Sequence, residues 1–396
     1  MEEIGSDQML IAHMDDTLLK KTGKKIPGTA WRRDPLGPPF HTNFIWGQRF
    51  LQISMALPSQ TGISQSRAIP VDFHHCPTAK KPNNKATELE IKQYKEAKKQ
   101  LNLSIQGVER IKKLRESLDN EATSQDLYLS VDGSYTNSNV LKNLPERVTL
   151  IGRIRKDSKL HRIPETLNNM GRKKVYGDRM PTPEEIRKSD DVKWQDVKAW
   201  AAGKEHLFNI KIVKDLRSEM AGGKHDLQLI IIRPLHYRLT KKSRLLYRDP
   251  AYLICTDNKL DPQKLVQAYL WRWEIEVNFR DEKTLLGSGK AQVRNKNSIA
   301  NLPAFIAAIY SFLLIASHKT CRKPDRNDVL PRPKWYPAKK GQRLSTGEII
   351  NLLRSQLWAK ALGCESFSGF VKREIETRSR KKYAPTLSSA IFYIRK

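Results

Sequence analysis

The stretch YLWRWEIEVNFRDEK, Tyr269 to Lys283, gathers aromatic and charged side chains within fifteen residues. On a helix, at about 100° per residue, Tyr269, Arg272, Glu276 and Lys283 fall within an arc of roughly 60°. The other acids, Glu274, Asp281 and Glu282, lie roughly 80–180° from Glu276. One carboxylate is singled out among two cations and a phenol. Arg272 and Glu276 have the four-residue spacing of an ordinary exposed ion pair, which contributes a few tenths of a kcal/mol. A solvated face rarely also carries a tyrosine with Trp271 and Trp273 beside it. The stripe is therefore either a row of surface ion pairs or a site, and the rest of the chain must decide.

The chain has 396 residues, with 72 Lys and Arg against 42 Asp and Glu, for a formal charge of +30. A protein this basic is built to meet a polyanion, most commonly nucleic acid. The charge runs along the chain and not in one tail, so an extended binding surface is expected. Cys76, Cys255, Cys321 and Cys364 lie far apart with no CxxC pair, against both a disulfide framework and a cysteine zinc site. No signal peptide is legible. The apolar run LPAFIAAIYSFLLIAS (302–317) falls short of the roughly 20 residues of a membrane span. A buried core helix in a soluble, intracellular protein is the expectation.

Strands are read at MLIAHMDDTLLKK (9–21), RFLQISMALP (49–58) and RAIPVDF (67–73). Residues 86–118 turn helical, with a break near Asn102. Strands follow at LYLSVDGSY (127–135) and RVTLIGRI (147–154), the first ending in Asp-Gly. The order strand, strand, strand, helix, strand, strand predicts an α/β fold with a mixed sheet and an early three-stranded meander. A basic loop region and a small β-rich unit fill the interval to about residue 260. DNKLDPQKL then supplies the start signals, with Pro262 in the first turn, for the helix carrying Tyr269 to Lys283. Further helices are expected at about 299–318 and 346–361.

A lone Glu does little chemistry. With acids from rigid strands it can hold two divalent ions roughly 3.5–4 Å apart, the arrangement for in-line attack on a phosphodiester. Mg²⁺ needs only a few carboxylates besides water. Asp15 or Asp16 is read as ending the first strand, and Asp132 as ending the strand after the helices, where Gly133 lets the chain turn. Asp-Gly is also a plain turn signal, and DDT a plain capping sequence. Asp72, on the third strand, ranks below these.

The spacing Tyr-x2-Arg-x3-Glu-x6-Lys of Tyr269, Arg272, Glu276 and Lys283 resembles the Tyr-Arg-Glu-Lys signature of a group of bacterial insertion-sequence transposases. These are DDE (Asp-Asp-Glu) enzymes with an RNase H-like core. DDTLLKKTGKKI, FIWGQRFLQISMAL, VDGSYTN (131–137) and LIGRIRKDSKL (150–160) are similar in the same order. The resemblance covers about residues 10 to 320. It implies an RNase H-like mixed sheet flanked by helices, with a β-rich insertion before the Glu-bearing helix. The implied divisions are 1–155 for the first part of the core and 156–258 for the basic loop and insertion. Residues 259–320 would be the rest of the core and 321–396 a basic C-terminal region. It also implies catalytic, metal-binding Asp15, Asp132 and Glu276, with two Mg²⁺ or Mn²⁺ ions. Asp15 is favoured over Asp16 by the Asp-x-Thr pattern with Thr17. Tyr269, Arg272, Trp273 and Lys283 would grip DNA, Trp273 or Trp271 by stacking on a base.

The activity implied is cleavage and strand transfer of double-stranded DNA by a homodimer in the bacterial cytoplasm, associated with the nucleoid through DNA and not with a membrane. Competing readings are an RNase H-fold nuclease that cuts without joining, and a DNA-binding remnant without catalysis. Only fourteen residues precede Asp15, whereas this group usually carries a helical DNA-binding domain there. A truncated gene product, or a catalytic piece working with another protein, is therefore expected.

Overall fold

The computed structural model describes residues 9–34, 37–38, 40–59, 62–121, 124–165, 173–237, 243–291, 293–320 and 343–361. The chain divides into two compact units, Met1–Ala308 and Ile309–Lys396.

The first unit is organised by one long strand, β1 (Leu10–Lys20). β2 (Ala30–Arg33), β3 (Phe44–Pro58) and β4 (Ser66–His75) follow it. β3 runs antiparallel to β1, and β2 and β4 both pair antiparallel with β3. The chain then forms α1 (Glu88–Gln100) and α2 (Leu103–Asn120), divided where Asn102 caps α2 by accepting from Ser104 N at 2.9 Å. β5 (Leu127–Val131) pairs parallel with β1, and after the short α3 (Ser138–Leu141) β6 (Val148–Arg153) pairs parallel with β5. Three antiparallel strands followed by two parallel additions beside the first make the RNase H-like sheet that the sequence predicts.

Strand alternation sends odd and even residues of β1 to opposite faces. Leu10, Ala12 and Met14 join Leu51, Ile53, Val108, Ile111 and Leu118 in one core, so α2 covers that face. Ile11 faces the other side, with Leu265, Val266 and Trp271.

The segment after β6 adds β7 (His161–Arg162), α4 (Pro183–Lys188), β8 (Gln195–Ala201), β9 (Lys204–Arg217), β10 (Leu227–Ile232), the short β11 (His236–Tyr237) and β12 (Leu246–Tyr247), and β13 (Ala251–Cys255). Its main strands do not form a separate sheet. β13 pairs with the free edge of β6, and β10 and β9 continue outward from it. β10 is buried at every residue, as its unbroken run LQLIII requires.

α5 (Pro262–Trp271) begins where Asp261 accepts from Lys264 N at 3.0 Å, with Pro262 in the first turn. The single helix expected over Tyr269–Lys283 is instead two: α6 (Trp273–Thr284) starts anew after Arg272. The cause is local tightening. Arg272 N bonds Tyr269 O and Ile275 N bonds Arg272 O, each at 3.1 Å and three residues apart.

The apolar run 302–317 lies within a longer helix, α7 (Lys296–Thr320). α7 as a whole is long and apolar enough to cross a membrane by length and composition alone, a test that the core helix of a soluble protein also passes. Within the first unit its Ala307 packs on Leu19, Phe50 and Phe73. In the second unit, α8 (Thr346–Ala361) starts at a capping box between Ser345 and Glu348, and Tyr310 Oη lies 3.1 Å from Thr346 Oγ1. Cys321 and Cys364 lie outside the described residues. Cys76 and Cys255 are buried free thiols, each pushed up to about 12 by burial.

Candidate active site

The two first acids sit mid-strand and not at a strand end, contrary to the sequence reading. β1 continues to Lys20 because its pairing with β3 runs unbroken from Ala12↔Met55 to Lys20↔Gly47. Its pairing with β5 stops earlier, at Met14↔Val131. Asp15 and Asp132 are the next residue on each of these neighbouring parallel strands, which lie about 4.8 Å apart. Both therefore stand where the parallel ladder opens.

Alternation separates Asp15 from Asp16. Asp16 faces the α2 side, accepting from Tyr135 Oη at 2.8 Å and pairing with Arg49 Nε at 3.2 Å. Asp15 faces α5 and α6. Arg272 Nη1 lies 3.2 Å from Asp15 Oδ2, and its Nη2 lies 3.3 Å from Glu276 Oε1. One guanidinium thus joins the strand carboxylate to the helix carboxylate. Arg272 is largely buried. Burial opposes its charge, but Tyr269, Asp15, Glu276 and Asp132 hold its pKa above the usual value. The Tyr269 ring centroid is 5.7 Å from the guanidinium carbon.

Asp15 is pushed up to about 7, first by burial and then by the negative charge of Asp132. Asp132 is partly exposed and is held by its own loop: Ser134 N donates to Oδ1 at 2.8 Å, and Thr136 Oγ1 to its carbonyl at 2.9 Å. Asp72 belongs elsewhere. It is gripped by Arg110 of α2, with Nε at 2.6 Å from Oδ2.

Trp271 and Trp273 part company. Trp271 is buried and donates Nε1–H to Ser64 O at 2.8 Å, whereas Trp273 is 62% exposed. Lys283, two turns beyond Glu276, lies with its ammonium 6.0 Å from the Phe279 ring and feels the charges of Glu282, Lys20 and Asp34. Among the four lysines after the first acids, Lys21 is tied down, donating to Gly289 O at 2.8 Å and Ala291 O at 3.0 Å. Lys20, Lys24 and Lys25 are exposed.

Sequence reasoning missed a buried polar layer beneath the site. Gln52, Ser54, Asn278 and Glu282 are each at most 2% exposed. Asn278 Nδ2 donates to Ala68 O at 2.9 Å. With its amide nitrogen turned toward α6, Gln52 donates to Glu282 at 3.1 Å. Burial pushes Glu282 up to about 8. The fully buried His13 lies on the same face, and neither ring nitrogen has a hydrogen-bond partner. Its pKa falls to about 3 through burial and the nearby Arg272 charge. A signal existed: Gln52 and Ser54 are polar residues two apart on a strand whose alternate residues are apolar.

Beside Asp132 opens a cleft of about 690 Å³ whose lining includes Gly133, Arg153, Arg155, Lys156, Arg187 and Tyr252. Asp157, Glu184 and Asp249 share this lining, with Asp157 paired to Arg155 and Glu184 to Arg187, so its positive charge is partly offset.

Among the described residues no three His, Cys, Asp or Glu side chains stand together closely enough to hold an ion as they are. The donor chemistry nonetheless fits a hard divalent cation. The charge of Asp132 raises the cost of ionising Asp15, Glu276 is linked to Asp15 through Arg272, and all the donors are oxygens.

A mixed sheet flanked by helices, with two parallel strands added beside the first of the antiparallel set, has the RNase H-like fold of a transposase. The sequence matches the family described as transposase DDE domain over residues 103–312, more than half of the chain, and the chain belongs to that family. The match includes Asp132 and Glu276; Asp15 lies ahead of it. A search of curated proteins gives no match. The family generally uses divalent metal ions and acts on DNA.

Proposed function

We propose that this chain cuts DNA at the ends of a mobile element and joins those ends to a target, as a member of the Tyr-Arg-Glu-Lys group of insertion-sequence transposases. The observation that carries the reading is the Arg272 guanidinium between Asp15 and Glu276, with Asp132 one step beyond the last β1–β5 pair. Asp15, Asp132 and Glu276 would hold two Mg²⁺ or Mn²⁺ ions. When bound, such ions polarise the phosphate and lower the pKa of a coordinated water.

The chain's own residues do the rest. Asp15 is held in the β1–β3 ladder, and Asp132 by Ser134 N on its carboxylate and Thr136 on its carbonyl; the carboxylates would still have to draw together to hold an ion. Arg272 balances the carboxylates, its Nη1 on Asp15 and its Nη2 on Glu276. Tyr269, Trp273 and Lys283 line the approach, Trp273 offering an exposed ring to a base. The cleft of Arg153, Arg155 and Lys156 takes the DNA backbone. In this reading residues 1–155 and 259–320 form the core, 156–258 its insertion and 321–396 a basic C-terminal region, and the protein acts as a homodimer on DNA.

The test is Mg²⁺- or Mn²⁺-dependent cleavage of labelled duplex bearing the flanking inverted repeats. Glu276→Gln is expected to lower cleavage at least about 100-fold while DNA binding stays within about twofold. Equal cleavage by both proteins would overturn the role of Glu276. Cut products that never join to a target would make the chain a nuclease only.

A further inference from the structure

An aromatic and basic patch stands apart from the site. On β2 and β3, Trp31 pairs with Trp46 and Arg33 with Phe44. The two tryptophan rings meet edge to face at 5.5 Å. Trp46 is anchored, donating Nε1–H to Gly23 O at 3.1 Å. Trp31 and Phe44 are 66% and 55% exposed. Arg33, cross-strand from Phe44, is exposed, as are Lys20 at the end of β1 and Lys24 and Lys25 in the segment that follows it.

The register fixes the direction of this patch. Asp15 pairs with Gln52 and Leu19 with Gln48. Phe44, Trp46, Gln48, Phe50 and Gln52 alternate along β3, so they share one face of the sheet. That is the face of Asp15. Trp46 lies six residues along β3 from Gln52, or about 20 Å at 3.3 Å per residue. α6 covers part of this interval. Glu276 touches Arg272 beside Asp15, and Lys283 is about 10 Å further along the helix at 1.5 Å per residue. Lys283 is coupled electrostatically to Lys20, at the end of β1, and to Asp34, just beyond β2. Cations thus mark a path from the carboxylates to the exposed rings.

We infer that the Trp31–Phe44–Arg33 face binds an unpaired stretch of DNA strand leading away from the carboxylate site. This rests on the DNA-cutting reading of that site. Duplex DNA hides the faces of its bases, whereas an unpaired strand offers them for stacking and its phosphates to the lysines. An anchored aromatic pair with Trp31 and Phe44 exposed and Arg33 beside Phe44 matches that ligand better than it matches an apolar protein helix, which has no use for the positive charge.

The experiment measures binding of the full chain to a fluorescent oligothymidine and to a blunt duplex of equal length, by anisotropy, for wild type, Trp31→Ala, Trp31→Phe, Phe44→Ala and Glu276→Gln. Trp31→Ala and Phe44→Ala are expected to weaken the single strand roughly tenfold and the duplex less than twofold. Trp31→Phe, which keeps a ring and guards against a folding artefact, is expected to retain most of the affinity. Unchanged single-strand binding in both alanine variants overturns the proposal. So does an equal loss on both DNAs, or a change in self-association without a change in DNA binding. Glu276→Gln separates the two readings. Loss of its cleavage with single-strand binding intact supports the carboxylate site independently of the patch. Wild-type protein that binds the single strand through Trp31 yet never cuts refutes the enzyme reading alone.

Discussion

At the scale of single residues, Arg272 and Glu282 decide how so many acids coexist under one helix. Arg272 is the cation that offsets Asp15 and Glu276, so Arg272→Ala leaves buried negative charge uncompensated. The metal-free variant is expected to lose about 2–4 kcal/mol of stability. Millimolar Mg²⁺ should restore more of its melting temperature than it adds to wild type, because a bound cation takes over the same balance. Equal Mg²⁺ shifts in the two proteins would show that Arg272 does not serve this purpose. Glu282 is buried deeply enough that the lowering pull of the nearby Lys283 charge is outweighed, and burial keeps it neutral. Its proton is released near 4.5 in the unfolded chain and at about 8 in the folded one. Between those values the folded state binds the extra proton, so stability present at low pH is lost as pH rises toward 8. Urea unfolding at about pH 5.5 and about pH 8.5 is expected to show wild type losing about 2–4 kcal/mol more than Glu282→Gln, whose amide mimics the neutral acid. A pH dependence unchanged by the substitution would mean that Glu282 is ionised in the fold.

At the scale of elements, the loop after β5 carries Asp132 and is pinned from the next strand. Gly152 of β6 lies beneath Thr136, and a Cβ there would run into the Thr136 hydroxyl, which holds the Asp132 carbonyl. Gly152→Ala is expected to destabilise by about 1–3 kcal/mol and to reduce cleavage by more than the unfolded fraction explains, measured by activity against circular dichroism at one temperature. Cleavage falling only in proportion to unfolding would show that the loop position does not depend on Thr136. The same elements show what the sequence could reveal. β5, β6, α2 with its Asn102 cap, and α5 from Pro262 are set by local signals and appear where those signals fall. The acids of β1 were misread as a strand end because two adjacent aspartates look like a terminus; pairing with β3, remote in sequence, carries the strand on. The break at Arg272 has no local signal, since neither Gly nor Pro marks it. Asp15 and Asp16 differ in sequence only through the Asp-x-Thr pattern that the resemblance supplies; in the fold they turn to opposite faces, Asp16 toward α2 and Asp15 toward α6. The wheel places Glu282 only relative to Glu276, and its burial depends on the sheet beneath it, which is invisible in sequence.

At the scale of the whole molecule, a formal charge of +30 makes salt the strongest external control of DNA binding. Each phosphate neutralised releases counterions, so the logarithm of the affinity falls linearly with the logarithm of salt concentration. Affinity for an inverted-repeat duplex is expected to drop by about 10³ or more between roughly 50 and 200 mM salt. Positive charge spread along the chain predicts that single substitutions change this slope in small equal steps. Arg155→Ala and Lys156→Ala, on the cleft beside Asp132, should each lower the slope by about one. Trp31→Ala should leave it unchanged, because a ring neutralises no phosphate. A slope insensitive to both cleft substitutions would place the backbone contacts elsewhere on the basic surface. A slope near zero in the wild type would mean that the positive charge is not what holds the DNA, and recognition would then have to rest on the aromatic groups and on base edges.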